Sequence, residues 1–424
     1  MSDRGISRRE FGKSAVAIGG TAALAACLDR FGSPDVPAGT DPSSLPARQH
    51  EWKEYLEIDD AGNSQLSRHH VVLLLDYERA GVPTDGDRQQ VADALTSLER
   101  AYGWENDGLM FTLGYSPAYF QRFDAGPAGV DLPSPTALAP FEDPEFDTPD
   151  ALLHLASDHE QVVLAAEEAL KGNRNSVNDR EMAASFDGVF SVADRRTGFV
   201  GAGLPTQNQD VDGIPDSEPV PEESPLYMGY KGRFDGNQAT EDMVTIAEGP
   251  FAGGTTQHLS YIRLQLQQWY EQDSEDQRVS KMFCPAHATE ETVEGVGENL
   301  GDESGVGDCA DDVVERSRRE GVAGHAQKTA RAREDDRPVI LRRDFDSTDG
   351  GQAGLHFLSI QRSIDDFVAT KSMMNGTDVA DESAVGQRLN NGILQYMRVK
   401  RRGNYLLPPR ELRALPSAAP SRTA

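Results

Sequence analysis

The sequence predicts an α+β fold made of two ferredoxin-like units, each an antiparallel sheet with helices laid on it. Three observations carry this. In the first half, apolar runs of strand length and stretches of helical period alternate as strand, helix, strand, strand, helix. The second half repeats the rhythm. Between them lies "NQDVDGIPDSEPVPEESP" (Asn208–Pro225), which has no period and is rich in proline and acid, so it reads as an exposed connection.

In the first half, "HHVVLLLDYE" (His69–Glu78) is a short apolar run with β-branched residues, a buried strand. In "DRQQVADALTSLERAYGW" (Asp87–Trp104), Val91, Leu95, Leu98 and Tyr102 fall at helical spacing. "GLMFTLGYS" (Gly108–Ser116) and "PDALLHLASD" (Pro149–Asp158) read as two further strands. "HEQVVLAAEEALKG" (His159–Gly172) is a helix stopped by Gly172.

In the second half, "GTTQHLSYIRLQLQQWY" (Gly254–Tyr270) begins as strand and runs on toward helix. The Gly- and acid-rich stretch Glu290–Asp312 reads as loop with a short helix. "DRPVILRRDFD" (Asp336–Asp346) and "QAGLHFLSIQRS" (Gln352–Ser363) are strands, and "IDDFVATKSMMNG" (Ile364–Gly376) is a helix. The glycine-rich "RTGFVGAGLP" (Arg196–Pro205) reads as a structural turn. The expected organisation is an address segment at 1–27, a flexible linker at 28–50 and a first unit at 51–205. The connection then covers 206–226, the second unit 227–412, and a disordered tail 413–424.

A length of 424 residues allows two domains with sizeable cores. Lys+Arg number 41 against 70 Asp+Glu, a net charge of −29 spread along the whole chain. No basic face is available to neutralise phosphates, which excludes nucleic acid as a partner. Dispersed acid keeps a protein soluble in strong salt, so a salt-loving host is expected.

Near the start, Arg8 and Arg9 are followed by Phe11, Lys13 and an apolar stretch of small residues. The pattern resembles a twin-arginine export signal. The apolar run Ser14–Leu28 is too short and too rich in Gly and Ala to span the ~20 residues of a bilayer comfortably. "LAAC" (Leu24–Cys27) resembles a lipobox, which would tether the exported protein to the outer face of the cell membrane through Cys27. An ordinary small-residue cleavage site is the other reading. Cys284 and Cys309 remain, and they either pair outside the cell or sit as isolated buried thiols. Cys284-Pro-Ala-His287 lacks the second ligand pair that structural zinc requires.

A pocket between two such sheets suits a flat cofactor. Haem iron is held most simply by a neutral histidine. Splitting peroxide also needs a base that takes a proton from one oxygen and returns it to the other. A cation nearby stabilises the charge that develops. One His, one carboxylate and one Arg from separate elements would meet these needs.

From about His69 to Asn375 the chain resembles the dye-decolorizing (DyP-type) haem peroxidases. In the first half this rests on "LMFTLGYSPAYFQRF" and "LPSPTALAPFEDPEFDTPDALLHLASDHEQVVLAAEEAL". In the second it rests on "FDGNQATEDMVTIAEGPFAGGT", "YIRLQLQQWY", "GHAQKTAR", "ILRRDFD" and "AGLHFLSIQRSIDDFV", in that order. The resemblance implies a dimeric α+β barrel-like fold, a haem b cofactor, hydrogen peroxide and a bulky reducing substrate, and a homo-oligomer. It implies Asp235 as distal acid/base in a G-x-x-D-G motif closed by Gly236, which would approach the porphyrin. It implies His325 as axial iron ligand and Arg342 as distal arginine, with Arg343 on the opposite strand face.

The family's usual "GFKDGT" reads "GYKGRFDGN" here, and two registers stay open. Alignment on Gly229-Tyr230-Lys231 puts Gly232 at the acid position; alignment on Gly232–Gly236 puts Asp235 there after a two-residue insertion. Beside His325 the family's arginine pair is replaced by Gln327-Lys328, and "LRRGY" has become "LRRDF". Signal and fold together resemble the exported branch of the family associated with iron and haem, and the acidic composition points to a haloarchaeon. The expected activity is an exported haem peroxidase. The alternative is a non-catalytic haem-binding lipoprotein that keeps the fold.

Overall fold

A computed structural model describes residues 34–421. The twin arginines, the lipobox and Cys27 lie outside the described residues.

The first unit runs β1 (His69–Tyr77), α1 (Asp85–Ala101), β2 (Met110–Tyr115), β3 (Ala151–Ser157), α2 (Glu160–Leu170) and β4 (Phe190–Phe199). The second runs β5 (Thr255–Leu264), β6 (Phe345–Ser347), β7 (Gly354–Gln361), α4 (Ile364–Asn375) and β8 (Met397–Leu407), with α3 (His325–Thr329) among short helices between β5 and β6. Spatial order is β4-β1-β3-β2 in the first unit and β8-β5-β7-β6 in the second. Both therefore place the fourth strand beside the first and the third beside the second, the ferredoxin-like arrangement.

The two sheets join edge to edge. β8 meets β2 at Leu406–Tyr115, and β6 meets β4 at Asp346–Phe199. Since β5 pairs with both β7 and β8, the eight strands close into a ring. Closure removes the exposed edges that each unit alone would carry.

β1 explains why its sequence is apolar without alternation. Val71, Leu73 and Leu75 face the core under the first unit's helices, with Val91, Leu95 and Leu98 of α1. Val72 and Leu74 face inward, where they meet Leu259, Phe345, Leu358 and Tyr405 of the second unit. A strand buried on both faces has no polar face to show. α1 starts where Thr84 and Asp87 cap each other reciprocally, the Thr84 hydroxyl accepting from Asp87 N–H at 3.2 Å. Ser363 and Asp366 do the same for α4, which ends at Gly376 with φ 56°.

Three expectations need correction. The linker expected at 28–50 is docked from residue 34 onward: Val36, Gln49 and His50 are buried. Gln49 Nε2 donates to the carbonyls of Leu113 (3.1 Å) and Pro408 (2.8 Å), and its Oε1 accepts from Leu113 N–H at 2.9 Å. It thereby staples the β2–β8 seam, which has only one ladder pair of its own. The tail expected to be disordered is held through Leu415 and Ala418, both buried, with Tyr119 Oη donating to Pro416 O at 2.7 Å. The strand expected over Asp336–Asp346 is broken into pieces because its parts pair differently: Arg337–Pro338 pairs back on Arg333–Glu334, whereas Leu341–Arg342 and β6 each pair with β7. No helix among the described residues is long and apolar enough to cross a membrane.

Candidate functional site

Between β5 and β6 the chain departs from a plain ferredoxin-like unit. Instead of one helix it inserts several short ones, and these stand off the outer face of the second sheet. The gap is a cavity of ≈ 1340 Å³ counted with its open mouth. Its walls are largely apolar, with Phe234, Ile262, Phe283, Val306, Leu355 and Phe357 among them. Four methionines, Met228, Met282, Met374 and Met397, also line it.

His325 opens α3 and faces this cavity. Its backbone can sit there because two neighbours are glycine. A Cβ on Gly324 would lie 1.8 Å from Phe283 O, and one on Gly392 (φ 62°) would lie 3.1 Å from His325 Cα. The Gln327-Lys328 pair, a departure from the family pattern, anchors the helix. Gln327 Oε1 accepts from Gly324 N–H at 3.0 Å and its Nε2 donates to Cys309 O at 2.7 Å. Lys328 Nζ donates to Met374 O at 2.7 Å and to Asn391 O at 3.1 Å.

The His325 ring has no hydrogen-bond partner among the described residues. Burial, then the cations Lys328, Arg342 and Lys371, push its pKa down to about 3. It is therefore a neutral imidazole with free lone-pair capacity at any ordinary pH, the state a metal needs.

A row of polar groups lies on the same cavity. Arg342, Asp344 and Asp346 all line it, while Arg343 points to the other face. There Arg343 stacks over the Trp52 ring at 4.0 Å and donates to His50 O. The spacing i, i+2, i+4 is that of extended chain. Arg342 N–H donates to Gln238 Oε1 at 2.8 Å, and its guanidinium donates to Gly232 O and reaches Asp344 at 3.3 Å. Asp344 is 7% exposed, and its Oδ1 has no hydrogen-bond partner among the described residues. Burial pushes its pKa up, against the opposing pull of Arg342 and Arg233. Asp346, also buried, accepts from Tyr227 N–H and is raised well above the usual carboxylate range by burial.

Asp235 and Gly236 are not brought to this cavity; Gly232 is. The Asp235 carboxylate faces the N-terminal hairpin Glu57–Gln65, accepting from Ser64 N–H (3.2 Å) and Ser64 Oγ (2.8 Å) and pairing with Lys53 at 3.1 Å. Burial raises its pKa, but these partners outweigh burial and hold it below the ordinary value. Gly236 is exposed and donates to Asp302 O at 2.9 Å. The carboxylates on the cavity wall are Asp344 and Asp346, which the motif reading missed. Counting in steps of two from Arg342 finds both.

Solved structures share this fold at low identity. The encapsulated DyP-type peroxidase of Mycobacterium smegmatis aligns with a TM-score of 0.53 at 13% identity, covering 84% of this chain and 97% of that one. A DyP-type peroxidase protein of Shewanella oneidensis aligns at 0.53 and 12%, covering 82% and 94%. A variant of DypB from Rhodococcus jostii RHA1, in complex with heme, aligns at 0.52 and 15%, covering 82% and 96%. No curated protein sequence matches. One family model, described as a family of unknown function (DUF7405), matches residues 67–409. The chain therefore belongs to the DUF7405 family of unknown function, and it takes the fold of the DyP-type peroxidases.

Proposed function

We propose that this protein is a haem peroxidase that reduces hydrogen peroxide at the expense of a bulky electron donor. The observation that carries the proposal is the neutral His325, without a hydrogen-bond partner among the described residues, on an apolar cavity that Arg342 and the carboxylate of Asp344 also line. These residues fit a haem: the apolar walls suit a porphyrin face, and His325 is the donor for its iron. Haem, when bound, supplies the iron that exchanges electrons with peroxide.

The chain's own groups do the rest. The Asp344 carboxylate, which borders the cavity, is the group placed to take the proton of the peroxide oxygen and deliver it to the leaving oxygen. Its raised pKa brings it nearer the operating pH, where proton transfer is most effective. Arg342 offers the fixed N–H donors of its guanidinium to the developing anion. Asp344 thus takes the role that the motif assigned to Asp235, whose carboxylate is committed to Ser64 and Lys53. Haemin reconstitution followed by peroxide-dependent dye oxidation tests the proposal. Haem binding without turnover removes the enzyme claim.

One observation favours a second reading, a non-catalytic haem binder. Thioethers are readily oxidised to sulfoxides, and four line the cavity. Under this reading peroxide converts these methionines to sulfoxides and no dye is oxidised.

We also propose export by the twin-arginine route, an outer-face location through a lipid on Cys27, a haloarchaeal host and haem b as the cofactor. The Arg8-Arg9 pair, "LAAC" and the charge of −29 support these. Replacing both arginines with lysine should leave the protein inside the cell, and Cys27→Ser should release it to the medium.

A further inference from the structure

Behind the cavity lies a second cluster that the proposed activity does not use. Cys284, His287 and Cys309 are buried, at 0%, 7% and 5% exposure, and their donor atoms lie within 4.8 Å of one another. The two cysteines are joined as a disulfide. His287 Nε2 lies 3.0 Å from Ser304 O. A carbonyl can only accept, so Nε2 carries the hydrogen, and in the neutral ring Nδ1 then presents a bare lone pair. That lone pair faces Cys284 Sγ at 3.0 Å. In the disulfide this sulfur has no hydrogen to give. The oxidised state therefore leaves a buried acceptor aimed at another acceptor, with no donor between them, an arrangement that proteins avoid.

We propose that Cys284, His287 and Cys309 form a binding site for a thiophilic cation of the Zn²⁺ class, open when the cysteines are reduced and closed when they pair. Two thiolates and an imidazole whose far nitrogen is fixed by a carbonyl form a donor set suited to zinc, with a fourth position left for water. The chemistry balances. A dithiol reductant is oxidised to its disulfide as Cys284 and Cys309 become thiols. On metal binding their two protons pass to solvent, and His287 keeps its Nε2 hydrogen. The site ties the segment beginning at Cys284 to the Gly307–Ala310 helix, so metal and disulfide make the same cross-link in different redox states. This suits a chain that folds in a reducing compartment before export, a rationale that rests on the export reading; the test below does not.

A surface with this much acid collects cations without specificity, so the test must report sulfur ligation. The full chain is reduced with excess dithiol, freed of it anaerobically and titrated with Co²⁺ as a coloured stand-in for Zn²⁺. The expected result is a thiolate-to-metal absorption that saturates at one equivalent and is displaced by Zn²⁺. It should be absent from the oxidised protein and from Cys284→Ser and Cys309→Ser, and weakened about tenfold or more in His287→Ala. Full absorption in the oxidised protein or in either serine variant, both of which retain Cys27, overturns the proposal. So does its absence from reduced protein in which Cys284 and Cys309 are free thiols and circular dichroism is native. A reduced chain that unfolds and is not restored by Zn²⁺ overturns it as well.

Discussion

Replacing Asp344 with asparagine keeps the shape of the side chain and removes its charge and proton capacity. The carboxylate sits 3.3 Å from the Arg342 guanidinium. At an effective dielectric constant of ~20 their gross attraction is about 5 kcal/mol. Burial of Asp344 outweighs that attraction and raises its pKa, so removing the charge should change stability little, by no more than about 1 kcal/mol in either direction. Catalysis should suffer far more. A positioned acid/base group is worth roughly 10²–10⁴-fold, or about 3–5 kcal/mol of barrier. The matched control is Asp235→Asn, which breaks hydrogen bonds to Ser64 and the pair with Lys53 outside the cavity. It should cost about 1–2 kcal/mol of stability and change turnover by no more than about threefold. The assay is kcat/KM for peroxide with a dye donor on haemin-reconstituted protein, with the Soret band checking that haem is retained. Turnover lost in Asp235→Asn and kept in Asp344→Asn would refute the assignment.

Acid should destabilise the fold. Burial pushes the pKa of His50, His154, His258 and His325 down to about 3 and that of His69 down to about 4, from 6.5. Between those values the unfolded chain binds more protons, so this stability is complete above about pH 6.5 and falls as pH drops toward 3. Each group contributes a slope of up to ~1.4 kcal/mol per pH unit. Buried Asp344 and Asp346 act in the opposite sense but are outnumbered. Urea midpoints at pH 7.5 and 5.5 check this, and equal midpoints would contradict it. Gly324→Ala places a Cβ 1.8 Å from Phe283 O and should cost about 1–3 kcal/mol while weakening haemin binding, read by thermal melts and titration. With a net charge of −29, the melting temperature should rise from low to molar KCl; a flat response would count against a salt-adapted surface.

Both ferredoxin-like units were legible because their strands and helices carry local patterns: the apolar run of β1, the helical spacing of α1, the glycine ending α4. The resemblance implied a barrel, but the strand pairs that close it were not legible in local pattern, because the Leu406–Tyr115 and Asp346–Phe199 contacts join residues far apart in sequence. The same reason hid the docking of residues 34–50, where Gln49 bonds to Leu113 and to Pro408. At the site, the resemblance led to His325 and Arg342, and strand alternation separated Arg342 from Arg343. It led away from Asp344, because a motif reports local spacing and not which way a loop turns. Asp235 sits in a recognisable pentapeptide, yet its direction is set by Ser64 and Lys53, more than a hundred residues earlier. The substitutions that looked like drift from the family, Gln327, Lys328 and Asp344, form the helix anchors and the cavity acid here.

Haem held in the cavity through His325 is tested by haemin titrated into the purified protein, followed by the Soret band and repeated with His325→Ala. The parent protein should bind one haem per chain. The variant should show a displaced Soret band and weaker binding, with circular dichroism unchanged. A parent protein that binds no haemin, or a variant whose Soret band and affinity match the parent's, would contradict that mode of binding.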